Sequence, residues 1–191
     1  MARWDPGTED RLRRAALELF VEHGYDNVTV TQIAERAGIT RRSYFRYFPD
    51  KREVLFAGAE LLPAAMAEAV LTSAEESPPA IALDAARRIG VFLVERVERT
   101  AERRAVIESS PELQERERTK RAAITTALCD ALVERGAEAG EARLVARLVT
   151  ICFEGAIERW SDTGEDFSSC LDVVVESIRS TLDLFPPAVR Q

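Results

Sequence analysis

The sequence is poor in the residues that build metal centres, disulfide frameworks and membrane spans. Its one histidine, His23, has no potential ligands at a useful metal-binding spacing. The three cysteines, Cys129, Cys152 and Cys170, form an odd and scattered set, which predicts small core residues rather than disulfides. No apolar run approaches the length of a membrane span, and the N-terminus does not look like a signal peptide. We therefore expect a cytoplasmic protein.

Sequence patterns of enzyme active sites are also missing. There is no nucleophile elbow, phosphate-binding loop or dinucleotide fingerprint. His23 stands where a predicted helix ends, and a favourable interaction with the helix dipole accounts for it there. We predict that the protein is not an enzyme and needs no cofactor. The alternative is a small helical enzyme acting on acyl groups, for which no catalytic residues are visible.

What is present predicts an all-α protein. In the 191 residues, 46% are hydrophobic, enough for a folded core. Apolar residues recur at helical spacing almost throughout, and no useful stretch alternates as a strand would. About nine helices are predicted. Their ranges are 8–23, the segment after Thr29 that buries Ile33, Ala34 and Ala37, 41–48, 51–73, 80–100, 104–108, 111–135, 141–161 and 167–184.

Positive charge is concentrated in one short segment of an acidic chain. The formal net charge is −7, yet residues 36–52 contain six basic residues and a single acid, Asp50. A basic patch on an acidic protein is typical of a local nucleic-acid contact. The alternative is a solvated helix face, which is the commoner meaning of a run of charges.

Residues 29–48 within this region predict a helix-turn-helix. Thr29 and Gln32 form a capping box, Gly38 turns the chain, and Thr40 caps a second short helix. Helical geometry points Ile39, Tyr44 and Phe48 inward. The residues predicted to face outward are Arg41, Arg42, Ser43, Phe45, Arg46 and Tyr47. Arginine can bind a guanine edge with two hydrogen bonds, an aromatic ring can contact a thymine methyl group, and hydroxyls can bind phosphate. Asp50 is predicted to cap the next helix, the fourth, whose free backbone amides can hold another phosphate.

The segment Ala15–Leu55 also resembles the DNA-binding domain of the TetR family. The resemblance lies in the Gly24-Tyr25 corner, the run IAERAGIT and the ending YFRYFPDKREVL. It implies that Thr40, Tyr47 and Lys51 bind phosphates and that Arg41, Arg42, Ser43 and Phe45 approach bases or backbone. The predicted DNA-binding residues are thus Thr29, Thr40, Arg41, Arg42, Ser43, Phe45, Arg46, Tyr47 and Lys51. The chain departs from the family at Tyr44, Phe45 and Tyr47, and Phe45 lacks the hydroxyl of the usual tyrosine.

A second resemblance concerns Ala105–Leu128, whose Ser-Pro-Glu-Leu corner is similar to that of the mycofactocin-type regulators. These have a domain for an acyl-CoA-like ligand. The resemblance implies a small-molecule effector bound between residues 80 and 135. The predicted ligand-binding residues are Phe92, Arg96, Val106, Ile107, Leu113, Ile124 and Leu128. The alternative is that these apolar residues are ordinary core.

The last two predicted helices have apolar stripes wider than a terminal helix of a monomer needs. Two such helices from each of two subunits can form a four-helix bundle, so a homodimer is expected, as in the resembled family. The predicted interface residues are Leu148, Cys152, Phe153, Leu171, Val174 and Ile178. The alternative is packing within one chain.

These features together predict a helix-turn-helix domain in residues 1–52 and a helical ligand-binding and dimerisation domain in residues 53–191. The expected function is a dimeric transcriptional repressor, released from an inverted-repeat operator in double-stranded DNA by a small molecule. The main alternative is a helical protein-interaction module that does not bind DNA.

Overall fold

A computed structural model describes residues 7–95 and 99–183. These residues form nine α-helices and contain no strand, which confirms the predicted all-α fold. The helices are α1 Thr8–His23, α2 Val30–Arg36, α3 Arg41–Tyr44, α4 Leu62–Leu71, α5 Pro78–Val94, α6 Thr100–Glu108, α7 Pro111–Glu134, α8 Ala139–Thr163 and α9 Phe167–Leu182. None of them is long and apolar enough to cross a membrane.

The described chain divides into two compact units, and the long helix α7 contributes its start to one and the rest to the other. The first unit comprises residues 7–60 and 99–120, and the second comprises residues 61–95 and 121–183. Residues 53–60 and 99–120 therefore pack with the helix-turn-helix segment, although they follow residue 52. The predicted domains were assigned by DNA and ligand binding rather than by packing, so that division stays a prediction.

The first unit has a core of its own, built around α1. Leu12, Phe20 and Ile33 are fully buried there, together with Tyr44 from α3 and Phe56. Val106 and Ile107 of α6 and Leu113 of α7 belong to the same cluster. Residues far apart along the chain, from Leu12 to Leu113, thus share the core that positions the helix-turn-helix.

The second unit has two neighbouring apolar clusters. Small residues of α4 and α5, Leu128 and Leu132 of α7, and Val145 and Val149 of α8 make one cluster. Cys152 and Ala156 of α8 and Phe167, Cys170 and Leu171 of α9 make the other. The three cysteines are free thiols, and Cys152 and Cys170 are buried, as the sequence predicted.

The predicted helix over residues 51–73 is wrong, because the chain is interrupted in its middle. A 3₁₀ turn, Glu53–Phe56, ends at Ala57, whose ψ of 126° is extended. Gly58 then takes a φ of +79°, a conformation that other residues rarely adopt. A second 3₁₀ turn, Ala59–Leu61, leads to α4, which has a proline in its first turn. Proline has no amide hydrogen to donate, so it suits the start of a helix rather than its interior.

The remaining helix ends differ from prediction by a few residues. α5 begins at Pro78 instead of residue 80, because a proline at the first helical position costs no hydrogen bond. α6 begins at Thr100 rather than at residue 104, and α8 starts two residues earlier than expected. α9 ends at Leu182 rather than at residue 184.

Candidate nucleic-acid interface

Each of the two short helices in the helix-turn-helix begins with a side-chain cap. The Thr29 amide donates to Gln32 Oε1 at 2.8 Å, and the Gln32 amide donates to Thr29 Oγ1 at 3.3 Å. The Ser43 amide donates to Thr40 Oγ1 at 3.1 Å. Both predicted caps are therefore confirmed. Such caps satisfy amides that lack a partner within the helix, and they stabilise helices too short to form alone.

The second helix is shorter than predicted. α3 covers Arg41–Tyr44 instead of 41–48, and the next residues form tighter turns, with the Tyr47 amide donating to the Tyr44 carbonyl at 2.9 Å. Pro49 gives a physical reason, because it disfavours helical backbone at the residue before it. The Phe48 amide still donates to the Tyr44 carbonyl at 3.1 Å, so one more helical turn follows α3.

Burial sorts the side chains of this segment into two faces. Tyr44 and Phe48 are buried in the core, as predicted, and Ile39 is partly buried against it. The Tyr44 hydroxyl donates to the Asp50 carbonyl at 3.0 Å, which ties α3 to the turn after it. Burial raises the pKa of Tyr44 well above its usual range, so this hydroxyl keeps its proton. The opposite face exposes Arg41, Arg42, Phe45 and Arg46.

The arginines of the basic segment fall into two groups. Arg36 pairs with Glu18 and Glu22, and Arg52 pairs with Asp50, Glu53 and Glu112. By contrast, Arg41, Arg42 and Arg46 form no ion pair with any residue in 7–95 or 99–183. Their positive charge is not neutralised by a neighbouring acid, so it is available to an anionic partner.

Arg41 and Phe45 are stacked on the exposed face. The Arg41 guanidinium carbon lies 5.4 Å from the centre of the Phe45 ring, within cation–π distance. On its other side, Phe45 meets the buried Tyr44 ring edge-on, with centroids 5.6 Å apart and planes at 82°. The two residues occupy positions i and i+4, which lie on one side of a helical segment.

Lys51 has a structural contact that the sequence did not suggest. Its Nζ donates to the Tyr25 carbonyl at 2.7 Å and lies 4.0 Å from the centre of the Tyr25 ring. Burial lowers the pKa of Lys51. Lys51 therefore holds the Gly24-Tyr25 corner in place, and its predicted contact with phosphate stays a prediction.

The predicted phosphate site at the start of the fourth helix takes a different form in the structure. Glu53–Phe56 is a four-residue 3₁₀ turn, and the Glu53 amide already donates to Asp50 Oδ1 at 3.0 Å. Asp50 is thus a cap, as predicted, but it occupies the amide that was expected to bind phosphate.

A cation–aromatic cluster behind the helix-turn-helix was missed by sequence reasoning. The Phe56 ring lies between two guanidinium carbons, with Arg103 at 5.2 Å and Arg116 at 4.9 Å from its centre. Arg103 Nε donates to the Leu55 carbonyl at 2.9 Å, and Arg116 donates to both Glu53 carboxylate oxygens at 2.7 and 2.9 Å. These contacts attach α6 and the start of α7 to the segment after the helix-turn-helix.

The residues predicted to bind a ligand do not form one cluster. Val106, Ile107 and Leu113 are buried in the core of the first unit. Leu128 is buried in the core of the second unit, Ile124 packs against it, and Phe92 is 51% exposed. Arg96 lies outside the described residues. Two open grooves of about 280 and 420 Å³ occur in the second unit, and none of the predicted residues lines them.

The residues predicted for a dimer interface all lie on α8 and α9. Cys152 and Leu171 are buried within the subunit, whereas Leu148, Phe153, Val174 and Ile178 are partly buried. Three neighbouring apolar residues were not predicted and are more exposed: Leu144 at 60%, Ile151 at 55% and Val173 at 44%. These three offer apolar surface that the subunit itself does not cover.

The sequence of the first unit matches a known family. Residues 12–57 match the family model described as bacterial regulatory proteins of the tetR family. TcmR from Streptomyces glaucescens, an HTH-type transcriptional regulator, is 44% identical over 72 residues, which are 37% of this chain and 30% of TcmR. The matched segments span between 22% and 36% of the lengths of the curated relatives.

The described fold extends the similarity to nearly the whole chain. SmeT of Stenotrophomonas maltophilia, solved in a complex with triclosan, is 19% identical, with a TM-score of 0.63 over 90% of this chain and 91% of SmeT. NalD of Pseudomonas aeruginosa, the secondary repressor of the MexAB-OprM multidrug efflux pump, is 20% identical. Its TM-score is 0.61 over 92% of this chain and 96% of NalD. The sequence match thus concerns residues 12–57, and the similarity to SmeT and NalD concerns the fold of the chain.

Proposed function

We propose that the protein is a transcriptional regulator that binds a specific DNA site through α3 and the turn after it. The observation behind this proposal is the exposed, unpaired group of Arg41, Arg42 and Arg46 beside Phe45. A helix-turn-helix inserts its second helix into the major groove, where arginine recognises guanine edges. The surrounding protein is acidic, so this face is a local attraction for phosphates on a chain that otherwise repels them.

The alternative of a protein-interaction module explains this face less well. A surface for a protein partner would be expected to be apolar at its centre, with charged residues depleted there. Here the exposed residues are three arginines and one aromatic residue, and the Arg41 guanidinium lies against that ring. Thr40 and Ser43 of the same segment carry hydroxyl groups, which suit phosphate contacts, whereas Tyr47, predicted to face outward, is partly buried against the core.

The experiment is selection of DNA from a random pool, followed by titration of the selected site with matched variants. Arg42→Gln should weaken binding by about 1–3 kcal/mol if Arg42 binds a guanine. Arg118→Gln removes the same charge from an exposed arginine of the first unit that pairs with Glu115, and it should leave affinity unchanged. Equal affinities of the two variants would contradict the proposal, as would a failure to select any sequence.

The proposal includes a homodimer formed through α8 and α9, and hence an operator with inverted half-sites. Support comes from the apolar side chains that the subunit leaves uncovered on these helices, Leu144, Ile151 and Val173.

Ile151→Glu should give monomers, since it would bury an unpaired charge in the interface. Leu71→Glu adds the same charge at an exposed apolar residue of α4 and should stay dimeric. Light scattering distinguishes the two outcomes, and a dimeric Ile151→Glu protein would reject this interface.

A small-molecule effector that releases the DNA completes the proposed function. The complex of SmeT with triclosan supports an effector for this fold. The resemblance of Ala105–Leu128 favours an acyl-CoA-like molecule, and the predicted Phe92, Ile124 and Leu128 stay candidate contacts in the second unit. Acyl-CoAs of several chain lengths should be titrated with and without operator DNA. By linkage, DNA must weaken the binding of a releasing ligand by the same factor. Equal affinities in the two titrations would exclude release by that ligand.

A further inference from the structure

We infer that Arg41 and Phe45 act as one recognition unit for two adjacent base pairs, a guanine contacted by Arg41 beside a thymine contacted by Phe45. This inference rests on the proposed DNA-binding function and adds the base sequence that the site prefers. It arises from the stacking of the two side chains on the exposed face, because two groups held in contact cannot address distant base pairs.

The geometry restricts Arg41 before any DNA is bound. Its guanidinium carbon lies 5.4 Å from the centre of the Phe45 ring. Phe45 in turn packs edge-on against Tyr44, which is fully buried and hydrogen-bonded to the Asp50 carbonyl at 3.0 Å. The arginine therefore rests on an aromatic support that the core holds in place. Such a contact reduces the rotamer freedom that the arginine would otherwise lose on binding.

Neither neighbouring arginine has such a support. Arg42 and Arg46 contact no aromatic ring among the described residues, and both are exposed. Their side chains keep more freedom, which suits contacts with phosphates or with bases of several kinds. Among the three arginines, an aromatic ring therefore restricts the side chain of Arg41 and does not restrict those of Arg42 and Arg46.

The chemistry of the two side chains selects the bases. A guanidinium group can donate two parallel hydrogen bonds to guanine O6 and N7 in the major groove. Phe45 has no hydrogen-bonding group and is still 44% exposed, so its complement is the thymine C5-methyl group, the apolar group on the major-groove edge. The Arg41 guanidinium carbon and the Phe45 ring centre are 5.4 Å apart, so both groups can reach neighbouring base pairs, which are about 3.4 Å apart. A T·A pair next to a G·C pair therefore matches the stacked side chains.

The test modifies single atoms of the DNA in the selected operator. Deoxyuridine at the thymine removes only the methyl group, and 7-deazaguanine at the guanine removes only the N7 acceptor. We expect 7-deazaguanine to weaken binding of the unmodified protein by less than the roughly 5- to 150-fold that a whole bidentate contact provides, because guanine O6 remains as an acceptor. Arg41→Ala should abolish this sensitivity, and Phe45→Ala should abolish the sensitivity to deoxyuridine.

Because the Phe45 ring supports Arg41, a change at Phe45 should also alter how strongly 7-deazaguanine weakens DNA binding. Phe45→Leu keeps an apolar contact for the methyl group but removes the ring that supports Arg41. It should therefore retain the deoxyuridine effect and reduce the 7-deazaguanine effect. Arg42→Gln is the matched control and should leave both effects in place while lowering overall affinity. All of these residues are exposed, so the variants should fold, and circular dichroism checks this.

The outcomes separate this inference from the proposed function. A selected operator without a T·A pair next to a G·C pair in each half-site overturns the inference. So does a 7-deazaguanine effect that is unchanged in both Phe45 variants. In either case, specific binding that Arg42→Gln weakens would leave the proposed function intact. If no DNA sequence is selected at all, the proposed function fails and the inference fails with it.

Discussion

At the scale of single residues, the buried hydroxyl of Tyr44 is the clearest departure from a purely apolar core. The ring fills the centre of the first unit, and the hydroxyl donates to the Asp50 carbonyl. Tyr44→Phe keeps the ring and removes this bond, so the free energy of unfolding should fall by about 1 kcal/mol.

Urea denaturation of the two proteins measures the difference. Tyr47→Phe is the matched control, because the Tyr47 hydroxyl bonds to no described residue. Its stability should stay unchanged, and equal losses in the two variants would show that the Tyr44–Asp50 bond adds nothing.

The pair between Glu53 and Arg116 should make stability depend on pH. Two hydrogen bonds from Arg116 hold the pKa of Glu53 below its ordinary value of 4.5. A carboxyl group whose pKa is lowered by folding stabilises the protein fully above its unfolded pKa. That contribution is lost as the pH falls through the folded pKa. Glu53→Gln should therefore lose about 1–3 kcal/mol at pH 7 and should lack this part of the acid-induced loss.

Urea denaturation between pH 7 and about pH 3 tests this, with unfolding free energies compared at each pH. Glu115→Gln is the control, since Glu115 pairs with Arg118 on the exposed side of α7. If Glu53→Gln lost stability with acid as steeply as the unmodified protein, Glu53 would not contribute to the dependence.

Residue contacts were also the hardest part of the structure to predict. The caps at Thr29 and Thr40 were predictable, because they depend on residues three positions apart. The contacts of Phe56 with Arg103 and Arg116 were not. They join residues far apart in sequence, and the Arg116–Glu53 bond spans 63 positions. Nothing local distinguishes those arginines from the many others in the chain.

At the scale of helices, α5 and α9 approach each other closely at Gly90. A Cβ atom added at Gly90 would fall 1.9–2.6 Å from atoms of the Phe167 ring, which is itself fully buried. Gly90→Ala forces the ring or the helix to move, so it should lower the free energy of unfolding by about 1–3 kcal/mol.

Thermal denaturation measures this cost against that of a second glycine. Gly140→Ala places its methyl group near only the flexible end of Glu138 in the first turn of α8. Glu138 Oε2 also accepts from the Glu141 amide at 2.9 Å, so this change should cost at most about 1 kcal/mol for the disturbed cap, partly offset because alanine is the better helix former. A Gly90→Ala protein as stable as Gly140→Ala would mean that α5 and α9 are not packed as described.

Helices with regular apolar spacing were predicted well, and irregular connections were not. α7 and α9 begin at the predicted residues, and α1 begins at Thr8, although Gly7 rather than the predicted Thr8 is its N-cap. The segment 51–73 was predicted as one helix because its apolar residues continue at helical spacing across the break. The conformations of Ala57 and Gly58 interrupt it despite that spacing. Hydrophobic periodicity indicates which side of a segment is buried. It does not indicate a break in the helix when the apolar spacing continues across that break.

At the scale of the whole molecule, the charge distribution predicts how DNA binding should respond to salt. The chain has a net charge of −7, and its unpaired basic residues near α3 are Arg41, Arg42 and Arg46. Each phosphate contact contributes about −0.9 to the slope of log affinity against log salt concentration. If Arg46 binds phosphate, Arg46→Gln should flatten the slope by about 1.8 for a dimer.

Fluorescence anisotropy with labelled operator DNA at several salt concentrations measures this slope. Arg118→Gln changes the net charge by the same amount away from α3 and should leave the slope as it is. An unchanged slope in Arg46→Gln would assign Arg46 to a role other than phosphate binding.

The contact of Lys51 with Tyr25 has a practical consequence for chemical labelling. Lysine occurs only twice in the sequence, at Lys51 and Lys120, so an amine-directed reagent has few side-chain targets. Acetylation of Lys51 would remove its charge and disrupt the contact with the Tyr25 ring. Lys120 pairs with Glu117 on α7 and provides an internal reference. If Lys51 also contacts a phosphate, mass spectrometry after brief acetylation should show operator DNA shielding Lys51 and not Lys120, and this lysine would then report DNA occupancy without any engineered label.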